Sequence, residues 1–110
     1  KLWEATERTL EIIKPGISCS EIYSKLSHNL STNNVSVGRM GHGLGLQLTE
    51  PPSIMENDNT LLEKNMIITL EPSIEIDFNK ILVQEENLLI TEDGYRLLSS
   101  RTPEKLPIIN

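Results

Sequence analysis

His42 is set among glycines in Gly38-Arg39-Met40-Gly41-His42-Gly43-Leu44-Gly45-Leu46, a run that continues to Thr49-Glu50-Pro51-Pro52. Glycines on both sides of an imidazole let backbone approach closely where the ring is presented to a metal or a substrate. Two carboxylates come from the strand-like runs that follow. Glu71 closes Asn65-Met66-Ile67-Ile68-Thr69-Leu70-Glu71-Pro72, and Glu85 opens Glu85-Glu86-Asn87-Leu88-Leu89-Ile90-Thr91.

Whether the carboxylates meet depends on the hairpin between them. A three-residue loop Asp77-Phe78-Asn79, with Asn79 in the left-handed conformation that such loops favour, sets Ile76 opposite Lys80. Carried outward, that register places Glu71 opposite Glu85 on one face of the sheet. A four-residue loop would instead pair Glu71 with Glu86. Like charges facing each other are unfavourable unless a positive charge lies between them, and a divalent cation is one such charge.

The elements that position these residues are two helices and a strand-rich half. Leu2, Trp3, Thr6, Leu10 and Ile13 recur at helical spacing until Pro15-Gly16 stops the pattern, so a first helix is expected to end near Lys14. Ser18 with Glu21 three residues on is a capping box, and Ile22, Tyr23, Leu26 and Leu30 form the stripe of a second helix that ends in Ser31-Thr32-Asn33-Asn34. Strands are expected over 35–46, 66–76, 81–91 and 95–98, with a Pro/Asn/Asp-rich connection over 50–60. The order implies a single α+β domain over 1–110, with two helices packed on a mainly antiparallel sheet.

Composition narrows the class of partner. Sixteen acidic against ten basic residues give a net charge of −6, without a Lys/Arg cluster, so neither nucleic acid nor an anionic membrane is the expected partner. No apolar run reaches the length of a membrane span, and the lone Cys19 excludes an internal disulfide, which fits a cytoplasmic setting. Simpler roles compete for several residues. Strand glutamates are commonly surface groups, His28 reads as a solvated histidine late on the second helix, and Met40, Met55 and Met66 read as packing. Cys19 beside the capping serine reads as a small, partly buried side chain. The glycine run lacks the Lys-Ser/Thr pair and the following helix of a phosphate loop.

Taken together, Gly41-His42-Gly43-Leu44-Gly45-Leu46 with Glu50-Pro51-Pro52, Asn65 through Pro72, and Glu85 through Tyr95 resemble three successive signatures of one family. It is the pita-bread superfamily of methionine aminopeptidase, Xaa-Pro aminopeptidase, prolidase and creatinase. Ile13-Lys14-Pro15-Gly16 with Ser20-Glu21-Ile22 is similar to its helix pair. The resemblance implies the C-terminal half of that fold and a metal-dependent hydrolase similar to Xaa-Pro dipeptidases. It implies two divalent ions (manganese, cobalt, zinc or iron) bound by two aspartates, a histidine and two glutamates, and a metal-activated hydroxide that attacks an amide. His42, Glu71 and Glu85 match the histidine and glutamate ligands, and Glu71 inherits the proton-handling role beside His42. Gly41 and Gly43 give a peptide or small amide substrate room to approach.

Two departures stand out. The family's aspartate ligands precede the helix pair, and Asp58, Asp77 and Asp93 are misplaced to replace them, so one ion or none is the expectation for these residues alone. A missing N-terminal half would have covered apolar surface, so self-association into a homo-oligomer is expected. The second departure is Thr49, where peptidases of the family commonly carry a substrate-binding histidine; a threonine hydroxyl donates a hydrogen bond but carries no charge. Relatives with a similar Leu-Thr-Glu stretch include ectoine hydrolase-like and dimethylsulfoniopropionate lyase-like proteins, whose substrates are small non-peptide molecules. The superfamily also includes metal-free peptide- or protein-binding modules.

Overall fold

A computed structural model describes residues 1–30 and 38–105. Helix α1 spans Leu2–Leu10 and α2 spans Cys19–Leu30. The first ends earlier than the spacing suggests, because Pro15 has no N–H and disfavours helical geometry in the residue before it. The chain tightens instead: the N–H groups of Ile12 and Ile13 donate to the carbonyls of Thr9 and Leu10, three residues back. The capping box forms at α2, with Ser18 N–H donating to Glu21 Oε2 at 2.9 Å and Glu21 N–H to Ser18 Oγ at 3.2 Å.

The strands are β1 (His42–Leu44), β2 (Glu50–Ser53), β3 (Ile67–Leu70), β4 (Ser73–Asp77), β5 (Lys80–Val83), β6 (Glu86–Ile90) and β7 (Tyr95–Leu97). Five of them form an antiparallel sheet in the order β2-β1-β3-β6-β7, while β4 and β5 pair as a separate ribbon. Strand β2 lies where a connection was expected. Its Pro51-Pro52 pair is tolerated because β2 is an edge strand, where a missing N–H need not break a ladder. The expected strand over 35–37 and the end of the second helix over 31–34 lie outside the described residues.

Two long strands were expected where four are found. Pro72 supplies no donor, so the ladder is interrupted at Glu71-Pro72 and Gln84-Glu85, spanned by Gln84 N–H donating to Pro72 O at 3.4 Å. The register continues through this gap. Leu70 pairs with Glu86 on one side and Ser73 with Val83 on the other, so Glu71 faces Glu85 across the interruption. The tip differs from the expected three-residue loop. Asp77 pairs with Lys80, Asn79 has φ 58°, and a bulge between Glu75 and Asp77 absorbs the extra residue.

Alternation along the strands divides the sheet into two faces. Ile68, Leu70, Leu88 and Ile90 join Leu2, Ala5, Leu10, Ile22, Leu26 and Leu30 of the helices in one hydrophobic cluster. Cys19 is part of it, fully buried, and its thiol is pushed up to about 11, by burial first and then by the charge of Asp58. The folded state therefore keeps a proton that the unfolded chain releases, and stability falls as pH rises from about 9 to 11, by roughly 3 kcal/mol in all. Denaturation at stepped pH checks this: Cys19→Ala flattens that decline, and an unchanged decline in the variant contradicts it.

Candidate metal centre

The face of the sheet away from the helices carries the candidate ligands. Gly43 pairs with Ile68, so His42 lies beside Thr69, and Thr69 in turn pairs with Asn87. His42, Thr69, Glu71, Glu85 and Asn87 thus share one face, by strand alternation and register alone. His42 is buried, and its N–H donates to Thr69 Oγ1 at 3.1 Å. Glu71 is anchored through its backbone, its N–H donating to Met40 O at 2.8 Å.

The ring of His42 has a defined orientation. Nδ1 lies 2.9 Å from the carbonyl oxygen of Gly43, which can only accept, so Nδ1–H donates. Nε2 faces Glu71 Oε2 at 3.4 Å. Glu85 completes the group. Its carboxyl is raised above the usual carboxylate range, by desolvation first, then by the charge of Glu71, with a proton shared with Glu71 adding to the effect and His42 opposing it. Glu71 thus lies between His42 and Glu85, and the two like-charged carboxylates are an arrangement that a proton or a cation relieves.

The donor set fits a divalent ion in type and charge but is incomplete in number. Among the described residues, no group of three or more His, Cys, Asp or Glu side chains is arranged to hold a metal ion. The remaining aspartates are engaged elsewhere. Asp58 accepts from Ser53 N–H and Thr60 N–H, Asp77 lies at the hairpin tip against Phe78 N–H and Lys80, and Asp93 is exposed in the turn before β7. Held by His42, Glu71 and Glu85, a divalent ion would supply Lewis acidity and lower the pKa of a coordinated water.

The glycines approach the protein's own backbone. A Cβ on Gly43 would stand 2.5 Å from Pro51 O, and one on Gly41 would run into Thr69 O and Ile54. Gly43→Ala is accordingly expected to cost about 2–3 kcal/mol by forcing β1 and β2 apart. Urea denaturation checks this, and a midpoint within error of wild type contradicts it. Thr49 is exposed in the bend over 45–49 between β1 and β2, which Glu50 braces by accepting from Gln47 N–H at 2.8 Å.

Thr69 and Asn87 were not singled out from the sequence. The only signal was their strand position, two residues from Glu71 and Glu85 respectively. Glu86 was singled out only as an alternative partner for Glu71. It is instead buried on the helix-facing side, with Oε1 accepting from Arg101 Nη1 at 2.7 Å.

The architecture is that of an α+β domain that carries His42, Glu71 and Glu85 on one face of its sheet. The chain belongs to Metallopeptidase family M24, which it matches over residues 1–93. It is 34% identical over 106 residues to the Xaa-Pro dipeptidase of Pyrococcus furiosus, a match covering 94% of this chain and 30% of that protein. Among solved structures, the prolidase from Pyrococcus furiosus superposes with a TM-score of 0.83 at 32% identity, covering 93% of this chain and 31% of that one. The Xaa-Pro dipeptidase from Bacillus anthracis superposes with a TM-score of 0.84 at 26% identity, covering 98% and 31%. The fold is therefore part of the pita-bread fold, and the chain spans about 30% of the length of these relatives.

Proposed function

We propose that His42, Glu71 and Glu85 are metal ligands of a metal-dependent hydrolase that cleaves an amide bond, with Xaa-Pro dipeptides as the first substrate class to test. The observation that carries this is His42 Nε2 at 3.4 Å from Glu71 Oε2, with Glu85 opposite Glu71 across the interrupted ladder. In this reading, Thr69 fixes the backbone of His42, the Gly43 carbonyl fixes its tautomer, and Glu71 takes up the proton released as the nucleophile attacks. The likeness to Xaa-Pro dipeptidases supports a peptide substrate. Thr49 supports a second reading, in which a small non-peptide molecule is the substrate, because the loop offers a neutral hydroxyl where a cationic partner would favour a developing oxyanion.

A preceding segment bearing the aspartate ligands, self-association and a cytoplasmic location belong to the same proposal. The exposed Leu46, Leu48, Phe78 and Ile81 support the first two, and the lone cysteine supports the third. The test is hydrolysis of Xaa-Pro dipeptides and of small amides by the complete protein before and after chelation. Activity abolished by a chelator and restored by Mn²⁺ supports the proposal; activity indifferent to metal removal contradicts it.

A further inference from the structure

We propose that Arg101 and Thr102 are positioning residues that hold Glu85 in place for cation binding, an inference that rests on the ligand reading above. Glu85 lies in the interruption of the ladder, where regular strand pairing does not fix its backbone. The segment after β7 supplies the missing hold on three consecutive residues. Thr102 Oγ1 donates to the Glu85 carbonyl at 3.4 Å, Thr102 N–H and Arg101 Nη1 both donate to Glu86 Oε1 at 2.8 and 2.7 Å, and Leu98 N–H donates to Asn87 O at 3.0 Å.

Arg101 is itself fastened to α1. Its Nε donates to Glu7 Oε1 at 2.9 Å and its Nη2 to Trp3 O at 3.1 Å, the guanidinium lies 5.0 Å from the centre of the Trp3 ring, and Trp3 Nε1 donates to Thr102 O at 2.9 Å. A planar five-donor fork suits this many fixed acceptors, and an ammonium does not reproduce it. Because successive strand residues alternate, Glu86 projects to the helix side while Glu85 projects to the site face. Gripping Glu86 therefore sets where Glu85 points without placing the arginine's charge among the ligands. The clamp lies beyond residue 93, where the family match ends.

Mn²⁺ affinity of the complete protein, read by electron paramagnetic resonance alongside thermal unfolding, tests the clamp. Arg101→Lys keeps the charge opposite Glu86 but loses the fork, and should weaken Mn²⁺ binding about tenfold, as removal of outer-shell support does. Thr102→Val, at a half-buried site, should weaken it severalfold with little change in Tm, and Thr102→Ser should restore it. Wild-type affinity in both Arg101→Lys and Thr102→Val, while Glu85→Gln loses binding, overturns the clamp and leaves the ligand reading standing. Absence of Mn²⁺ binding by the wild-type protein overturns the ligand reading and the clamp with it.

Discussion

Glutamine in place of Glu71 should lower turnover by the complete protein about a thousandfold with little change in KM. The substitution preserves shape and one carbonyl oxygen but removes the negative charge facing His42 Nε2 and Glu85. Two losses combine: an anionic ligand becomes a neutral one, and the group placed to accept a proton no longer can. General acid–base contributions alone are typically about 10²–10⁴-fold, and a loss confined to kcat identifies an interaction made in the transition state rather than on binding. Glu75→Gln, on the exposed ribbon, serves as the control and should leave both constants unchanged. Full activity in Glu71→Gln would remove Glu71 from the chemistry.

The largest effect on stability is expected at Arg101→Met. Glu86 is 2% exposed, and Arg101 faces it at 2.7 Å. Removing the arginine leaves a buried carboxylate without its partner, while Oε2 of the same group finds no hydrogen-bond partner among the described residues. Breaking a buried ion pair from one side typically costs about 3–5 kcal/mol, whereas replacing both partners with apolar groups is often close to neutral. Denaturant unfolding of Arg101→Met, Glu86→Leu and the double variant therefore has a characteristic pattern: a large loss in the first, and recovery of most of it in the pair. Additive losses in the double variant would show that the two side chains act independently.

How far the sequence reveals this arrangement varies with the range of the interaction. The capping box at Ser18 and Glu21 is a local bond pattern, and it is legible in four residues. The facing of Glu71 and Glu85 is legible because strand alternation and a left-handed Asn79 restrict the register to few choices, although the bulge near Ile76 could not be read. Strand β2 was not legible: Glu50-Pro51-Pro52-Ser53 has turn composition and becomes a strand because β1 lies beside it. The Arg101–Glu86 pair spans 15 residues, and the contact of Arg101 with Trp3 spans 98; nothing in local spacing marks either. The glycines around His42 were legible as points of close approach, and the structure adds that their neighbours are Thr69, Pro51 and Glu50.

The three proposed ligands derive from two separate parts of the chain, the glycine-flanked strand β1 and the interrupted hairpin, and their convergence is the central claim. Mn²⁺ binding to the complete protein and to His42→Ala, Glu71→Gln and Glu85→Gln, measured by calorimetry with folding checked by circular dichroism, tests it most directly. The account predicts that each substitution weakens binding at least tenfold while the fold is retained. Unchanged affinity in all three folded variants would contradict it.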